Sequence, residues 1–229
     1  MNLDQSNWKF DKSVATVFDK HVSQSVPSYE RFHSYIQRIS DWFIEEGSNV
    51  YDIGTSTGKV LWGLSYRHKK AKYYGLEISD DMISEVINSM PTGEKLPFNI
   101  INQNAVDYKF ENASYITSVL TLQFMSYNDR VKTLENVFNG LNKGGCFILV
   151  EKLQMDNAIT QEIFTDLYHD MKAENNLSKE HIFDKSRSIR GIMKPLNEES
   201  NLQLCKNAGF KVVETFFKEG NFLGIICIK

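Results

Sequence analysis

Residues 49 to 64 join a strand, a tight glycine turn and a helix in immediate succession. The strand is the run Asn49-Val50-Tyr51-Asp52-Ile53, and an apolar helical pattern begins at Val60. Gly54 permits a sharp turn out of the strand, and Gly58 leaves space where the backbone passes close to a ligand. The N–H groups and the positive dipole end of the helix then face whatever lies over the turn. The six-residue dinucleotide fingerprint and the Gly-Lys-Ser/Thr ending of a phosphate loop are absent, so a carboxylate or a ribose suits the turn better than phosphate.

A second feature lies one strand further along the chain. The segment Lys72-Tyr73-Tyr74-Gly75-Leu76-Glu77 has the pattern of a strand that ends in an acid. An acid about 20 residues after a glycine turn is typical of a carboxylate that binds both ribose hydroxyls of a nucleoside. The two features together predict a nucleoside-binding α/β domain.

Strands and helices alternate strictly from residue 49 to residue 152. This alternation predicts a doubly wound α/β fold with a mostly parallel sheet. One of its helices should run from Asn128 to Leu141 and stop at Gly144-Gly145. The C-terminal strands Val212–Phe217 and Phe222–Ile228 are joined by a short turn, so they must be antiparallel. We therefore expect seven strands, of which the last two form an antiparallel hairpin.

The remaining segments predict the domain organisation. Residues 1–48 carry apolar residues at helical spacing, which suits either a packed amphipathic helix or a lid over the glycine turn. Residues 49–229 form the ligand-binding domain, with a helical insertion at about 155–196. Residues 173–190 are polar and have helical composition but little apolar surface, so they are either mobile or covered by another subunit. We expect a homodimer in which each subunit covers the other's cleft.

Composition restricts the classes of function. The chain has 41% hydrophobic and 24% charged residues and a net charge of -3, which is typical of a globular protein and gives no reason to expect a nucleic-acid surface. Its three cysteines, Cys146, Cys205 and Cys227, are scattered and indicate a reducing cytoplasm. No apolar stretch reaches about 18 residues, so no membrane span is expected. The histidines show no spacing typical of a metal site.

Several motifs in the sequence resemble those of a known family. Asp52 to Gly58 followed by Glu77 resembles the S-adenosylmethionine (SAM) site of class I methyltransferase-fold enzymes. The match is narrower, because seven further motifs look like the carboxy-S-adenosylmethionine synthase family: Trp8-Lys9-Phe10-Asp11, Ser25-Val26-Pro27-Ser28-Tyr29, Thr121-Leu122-Gln123-Phe124, Leu141-Asn142 with Gly144-Gly145, Glu151-Lys152, His169-Asp170 with Lys172, and Ala208-Gly209-Phe210. Members of that family use prephenate to carboxylate the methyl group of SAM, as a step toward a modified tRNA wobble uridine.

The resemblance implies roles for individual residues. The cofactor-binding set would be Tyr29, Asp52, Gly54, Ser56, Gly58, Glu77, Ile78, Asn104, Ala105 and Gln123, and the catalytic set Gln123, Tyr168, His169, Arg187 and Arg190. Within these sets Glu77 would hold the ribose, Asn104 and Ala105 would border the adenine, and Gln123 would border the sulfonium. Tyr29, Phe124 and Tyr168 offer aromatic faces to that cation. His169 beside Asp170 suits a structural polar pair or an acid–base pair.

The sequence departs from the family pattern at several positions, in the cofactor motifs and in the segment expected above them. The sequence has Thr55 for a cysteine, Glu77-Ile78-Ser79 for Asp-Asn-Ser, Asn104 for an aspartate, and no asparagine in the Val119-Leu120 region. Lys185 matches the family's lysine. Ser186, however, stands where the family has an arginine, and the resemblance implies that this arginine binds the added carboxylate. Arg187 or Arg190 is a candidate replacement, although one position along a helix rotates a side chain by about 100°.

Four functions follow from this pattern. The first is methyl transfer from SAM to a small polar or anionic metabolite, in which alignment of the reactants supplies most of the catalysis. The second is carboxy-SAM synthesis from prephenate. The third is intramolecular chemistry on SAM, for example cyclisation to azetidine-2-carboxylate with release of methylthioadenosine. The fourth, from a different class, is a non-catalytic partner subunit.

Overall fold

The computed structural model describes residues 18–88 and 94–229. Its centre is one seven-stranded sheet in the order β3-β2-β1-β4-β5-β7-β6. The strands are β1 (Asn49–Ile53), β2 (Lys72–Glu77), β3 (Asn99–Asn102), β4 (Ala113–Val119), β5 (Leu141–Lys152), β6 (Val212–Glu219) and β7 (Phe222–Ile228). Strands β1 to β5 pair in parallel, and β7 pairs antiparallel with both β5 and β6. The mostly parallel α/β sheet with an antiparallel hairpin is therefore confirmed.

Eight α-helices accompany the strands within the described ranges. They are α1 (Phe18–Ser25), α2 (Tyr29–Ile39), α3 (Lys59–Arg67), α4 (Asp80–Asn88), α5 (Tyr127–Gly140), α6 (Ala158–Glu174), α7 (Lys179–Ser188) and α8 (Glu198–Asn207). Short 3₁₀ turns lie at Ser40–Trp42, Ala105–Asp107 and Leu122–Phe124. In residues 18–88 and 94–229, no helix is long and apolar enough to cross a membrane.

Two apolar cores cover the two faces of the sheet. One core contains Leu134 and Val137 of α5 with Leu204 of α8, packed against strand residues such as Phe147. The other contains Leu61 and Leu64 of α3 with Phe32 and Ile36 of α2. The central strands alternate their side chains between these cores, and helices on both faces are what a buried parallel sheet requires.

One boundary differs from the sequence prediction. Helix α5 spans Tyr127–Gly140, within one residue of the predicted ends, but β5 begins at Leu141 and includes the Gly144-Gly145 pair. A Cβ at Gly140 would lie 2.3 Å from the Phe110 Cβ, so the end of the helix packs tightly on its neighbour. The polar segment 173–190 holds a regular helix, α7, whose Ile182 is buried. Part of the proposed lid, residues 1–17, lies outside the described residues.

Candidate active site

The C-terminal ends of β1, β2 and β4 open into a cavity of about 460 Å³. From β1 the chain proceeds to β2 and β3 on one side, and the later strands begin with β4 on the other side. Open α/β sheets bind ligands at such a reversal of strand order. The cavity has the size and the mixed apolar and polar walls of a small-molecule site.

The glycine turn forms the floor of the cavity beside β1. Gly54 has φ +70°, and a Cβ there would lie 2.4 Å from Thr121 Oγ1, so glycine is required both by conformation and by the close approach of the β4 loop. Ser56 also has a positive φ of 52°. Its buried Oγ has no hydrogen-bond partner among the described residues. Since buried polar atoms are normally paired, this hydroxyl fits a bound polar ligand.

Glu77 ends β2 and lies against the same turn. Its carboxylate accepts hydrogen bonds from the backbone N–H groups of Ser56 (3.0 Å), Ile78 (2.9 Å) and Ser79 (3.0 Å). These bonds fix the carboxylate at the cavity wall. An ionised carboxylate has about four acceptor positions, so capacity remains for a ligand hydroxyl.

Asp52 is a buried carboxyl between the turn and β4. It is 2% exposed, and the Thr117 hydroxyl donates to its Oδ1 at 2.6 Å. Burial raises the pKa of Asp52 to about 7, which the Thr117 hydrogen bond opposes. A carboxyl that titrates near neutrality at a cavity wall responds strongly to a positive charge placed beside it.

The residues expected around adenine lie together on the next wall. Ile78 is 69% exposed at the cavity, and Ala105 and Met82 supply buried apolar surface below it. Asn104 caps the turn Ala105–Asp107, because its Oδ1 accepts from the Val106 N–H at 3.1 Å. That bond leaves the Asn104 amide N–H₂ group for a ring nitrogen.

Helices α1 and α2 cover the turn from above. The Thr57 hydroxyl donates to Asp19 of α1 at 2.7 Å, and Tyr29 of α2 lies 4.4 Å from the ammonium of Lys59. On the far side, Gln24 Nε2 donates to the Asn175 carbonyl (2.9 Å) and Asn175 Nδ2 donates to the Gln24 carbonyl (3.0 Å). Helix α1 therefore bridges the cofactor turn and the insertion.

Gln123 lies on the cavity wall with both ends of its side chain engaged. Its Oε1 accepts from the Lys152 N–H at 2.9 Å, and its Nε2 donates to the Leu120 carbonyl at 3.2 Å. Its backbone carbonyl accepts from the Lys194 N–H at 2.7 Å. These bonds tie the β4 loop to β5 and to the end of the insertion, which is a positioning arrangement. The catalytic role of Gln123 stays a prediction.

Two lysines from different elements meet at Tyr168, and a third from another element acts electrostatically on one of them. The ammonium groups of Lys152 (β5) and Lys172 (α6) lie 4.1 Å and 3.9 Å from the centre of the Tyr168 ring, and Lys185 (α7) lines the same recess. Burial lowers the pKa of Lys152 and of Lys185 to about 8. Burial, together with the charges of Lys152 and Lys185, lowers the pKa of Lys172 to about 7. We call Lys152, Lys172 and Lys185 the lysine cluster.

The structure brings together most of the predicted site residues. The cavity wall includes Tyr29, Asp52, Gly54, Ser56, Glu77, Ile78, Asn104, Ala105, Gln123, Tyr168 and His169. Three predicted residues are not on this wall. Gly58 lies beneath the turn, where a Cβ would be 2.5 Å from the Phe98 ring. Arg187 and Arg190 are exposed, and Arg187 lies 5.3 Å from the ring of Phe183.

The sequence prediction missed the lysine cluster as one site. Tyr168 and Lys172 are separated by four residues on a helix, so their shared face was available as a signal. Nothing in the sequence spacing indicated that Tyr168 and Lys172 lie near Lys152 and Lys185. His169 also lines the cavity, and burial together with Lys172 and Lys152 lowers its pKa. Among the described residues, no group of three or more histidine, cysteine or acidic side chains could hold a metal ion.

Known proteins resemble the chain in sequence. Residues 50–145 match the family model described as "Methyltransferase domain". A carboxy-S-adenosyl-L-methionine synthase of Staphylococcus epidermidis is 45% identical, with complete coverage of both chains. The corresponding protein of Escherichia coli K12 is 30% identical over 97% of this chain and 92% of its own.

Solved structures share the fold at much lower identity. Phosphoethanolamine N-methyltransferase 2 of Haemonchus contortus, in complex with S-adenosyl-L-methionine, has a TM-score of 0.70 at 12% identity over 98% of this chain and 58% of its own. A SAM-dependent methyltransferase-like protein of Methanococcus maripaludis has a TM-score of 0.65 at 17% identity over 100% and 97%.

The cavity fits the cofactor that these proteins share. Only glycine fits at residue 54, the buried Ser56 hydroxyl has no partner in the described part of the chain, and the Glu77 carboxylate is held by backbone N–H groups. The chain therefore belongs to the carboxy-S-adenosyl-L-methionine synthase family and is a SAM-dependent transferase on the class I methyltransferase fold.

Proposed function

We propose that the chain synthesises carboxy-SAM, using an anionic small molecule as the carboxyl donor. Prephenate is the donor that the family resemblance implies. The observation that carries the proposal is the lysine cluster at the end of the cofactor cavity. None of the ion pairs within the described ranges involves Lys152 or Lys172.

The electrostatics of the cavity call for a negative ligand. The ammonium groups of Lys152 and Lys172 lie in the cavity wall without a carboxylate partner among the described residues, which is costly, and the mutual repulsion of the three lysines adds to that cost. A SAM molecule brings a further positive charge at its sulfonium. A carboxylate at about 4 Å from one ammonium would be attracted by roughly 4 kcal/mol at an effective dielectric constant of about 20, before desolvation. A ligand with two carboxylates would balance the cavity best.

The reaction replaces one hydrogen of the SAM methyl group with a carboxylate. With prephenate as the donor, the ring carboxylate and the ring hydroxyl leave as the ring aromatises to phenylpyruvate. The donor's C–C bond and the methyl C–H bond break, a new C–C bond forms at the methyl carbon, and the released proton and hydroxide combine as water. The protein's contribution is to bind both reactants in one orientation and to keep water from the reacting carbon. Lys172 and Lys185 would orient the donor's carboxylates, and the apolar side chains of Ile189 and Met193 would cover its body.

A second candidate is methyl transfer to a small anionic metabolite. It is favoured by the position of Arg187 and Arg190 outside the cavity wall and by Ser186 on that wall. A planar arginine suits bidentate binding of a carboxylate, whereas a lysine binds it as a point charge. The cavity would then hold an anionic methyl acceptor instead of a carboxyl donor.

Mass spectrometry of SAM incubated with the purified protein, alone and with prephenate, tests the proposal. We expect a carboxylated nucleoside only in the tube with prephenate. Intact SAM in both tubes would contradict carboxy-SAM synthesis and leave methyl transfer to another acceptor. Enzyme-dependent release of methylthioadenosine without a second substrate would contradict both and support intramolecular cyclisation. Failure to bind SAM or its demethylated product would support a non-catalytic subunit.

We further propose a homodimer, on the basis of helix α6. Ile159, Ile163 and Leu167 are 68%, 50% and 56% exposed and recur every four residues on one face. Lys172 is the buried residue of this 17-residue helix. An apolar stripe of this kind marks an interaction surface, and a second copy would cover the insertion beside the cavity. Buried free thiols at all three cysteines support the proposed cytoplasmic location.

A further inference from the structure

His33 is a buried histidine on the cavity wall that no motif had indicated. It lies on α2, one turn after Tyr29, and is 4% exposed. Its Nε2 has no hydrogen-bond partner among the described residues. Leaving such an atom unpaired is unfavourable, so a buried ring nitrogen at a cavity is a binding group for a ligand.

The surroundings of His33 fix its charge. Its ring packs edge-on against Tyr29, with ring centres 4.5 Å apart, and stacks on Phe32 at 4.9 Å. Burial, with the nearby charge of Lys59, lowers the pKa of His33 to about 3. The imidazole is therefore neutral at pH 7 and offers one N–H donor.

The same region favours a negative ligand group. Lys59 is the first residue of α3, where the N–H groups of the first helical turn point out of the helix. The positive end of the helix dipole and the Lys59 ammonium both attract an anion and repel an ammonium group. Lys59 is also paired with Glu30 at the surface, so the N–H groups of the first turn of α3 supply most of this attraction. SAM carries one anionic group, the carboxylate of its methionine part.

We propose that the Nε2–H group of His33 binds the α-carboxylate of the cofactor's methionine part. Tyr29 orients the imidazole ring, and Lys59 with the first turn of α3 supplies the positive surroundings. The inference concerns the cofactor and is independent of the second substrate, so it stands or fails separately from carboxy-SAM synthesis.

Binding measurements with three ligands test this assignment without any turnover. The ligands are S-adenosylhomocysteine, its decarboxylated analogue and methylthioadenosine, which lacks the amino-acid part. We expect His33→Phe to weaken S-adenosylhomocysteine binding by about tenfold, the usual effect of losing a hydrogen bond to a charged group. Binding of the other two ligands should stay the same. His33→Gln, which keeps an N–H donor, should retain most of the affinity for S-adenosylhomocysteine.

Each other outcome overturns the assignment. An equal loss for all three ligands would show that His33 only packs the wall. A loss for the decarboxylated analogue but not for methylthioadenosine would assign His33 to the ammonium group instead. Unchanged S-adenosylhomocysteine binding in His33→Phe would remove the contact altogether. Thermal unfolding of both variants checks that each is folded at the assay temperature.

Discussion

At the scale of single residues, Asp52 is the group whose charge state should control cofactor binding. It is buried, and its pKa is raised to about 7. A raised pKa means that the carboxyl is neutral below about pH 7 and ionised above it. The ionised form attracts the ammonium and sulfonium groups of SAM, and the neutral form does not.

We therefore predict that SAM binds more tightly as the pH rises from 6 to 8. The change should approach tenfold, since one pKa unit corresponds to about 1.4 kcal/mol. Isothermal titration calorimetry at both pH values measures it. Asp52→Asn, which stays neutral, should remove most of this rise in affinity. The remaining rise would come from Lys172, because its deprotonation over the same pH range also favours a cationic ligand. A rise of the same size in Asp52→Asn would contradict the role of Asp52.

Single residues also show what the sequence could predict of the site. Glu77 was predictable because a strand-end acid at a set distance from a glycine turn has a recurring geometry. The lysine cluster was not, since its members lie on β5, α6 and α7 and meet only through the tertiary fold. His33 was not predictable either, because nothing in its sequence context distinguishes a ligand-binding histidine from one that packs in a core.

At the scale of elements, helix α1 joins the cofactor turn to the insertion. At one end of the helix, Asp19 accepts a hydrogen bond from the Thr57 hydroxyl of the cofactor turn. At the other end, Gln24 exchanges two hydrogen bonds with Asn175 of the insertion. His21 of α1 also contacts His181 of α7, with Nδ1 and Nε2 3.3 Å apart. Such a bridge would have to open for ligands to enter, as a lid does. The division into a lid and a core domain remains a prediction.

Asn175→Ala should loosen this bridge. It removes a side-chain hydrogen bond worth about 1 kcal/mol, which corresponds to roughly fivefold more frequent opening. Amide hydrogen exchange of Phe18–Ser25 should accelerate by that factor, while exchange in β4 stays unchanged. Asn128→Ala, at an exposed asparagine of α5, serves as the control. Equal exchange in α1 for the wild type and Asn175→Ala would contradict the bridge.

Element types were predictable from the sequence, and some boundaries were not. The strand and hairpin patterns predicted the sheet because alternation and turn residues act locally. Strand β5 begins at Leu141, before the Gly144-Gly145 pair, because Leu141 pairs with Ala113 of β4. That pairing joins residues 28 positions apart, which no local pattern indicates. Helix α7, in contrast, forms in a segment of helical composition, where its Ser178 cap accepts from the His181 N–H as a local signal.

At the scale of the whole molecule, the exposed stripe on α6 predicts a dimer. Ile163→Glu places a charge at the centre of the stripe and should convert the dimer to a monomer at micromolar concentration. Size-exclusion chromatography with light scattering measures the mass. Ala158→Glu, at an exposed residue about 140° around the same helix from Ile163, should remain dimeric. A monomeric wild-type protein would contradict the homodimer.

The central claim is that the lysine cluster binds an anionic second substrate beside the cofactor. Its most direct test is calorimetric titration of prephenate into the protein loaded with S-adenosylhomocysteine, for the wild type, Lys172→Met and Lys143→Met. Lys143 is an exposed lysine near the start of β5, at the opposite edge of the sheet. The cluster lysines lose their charge as the pH rises through about 7 to 8, so wild-type affinity should fall from pH 6.5 to pH 8.5.

We predict that Lys172→Met weakens prephenate binding by about tenfold or more, the effect of losing a charge-assisted hydrogen bond. Lys143→Met should bind as the wild type does. Equal affinity in Lys172→Met and the wild type, or no prephenate binding by the loaded wild-type protein, would contradict the account.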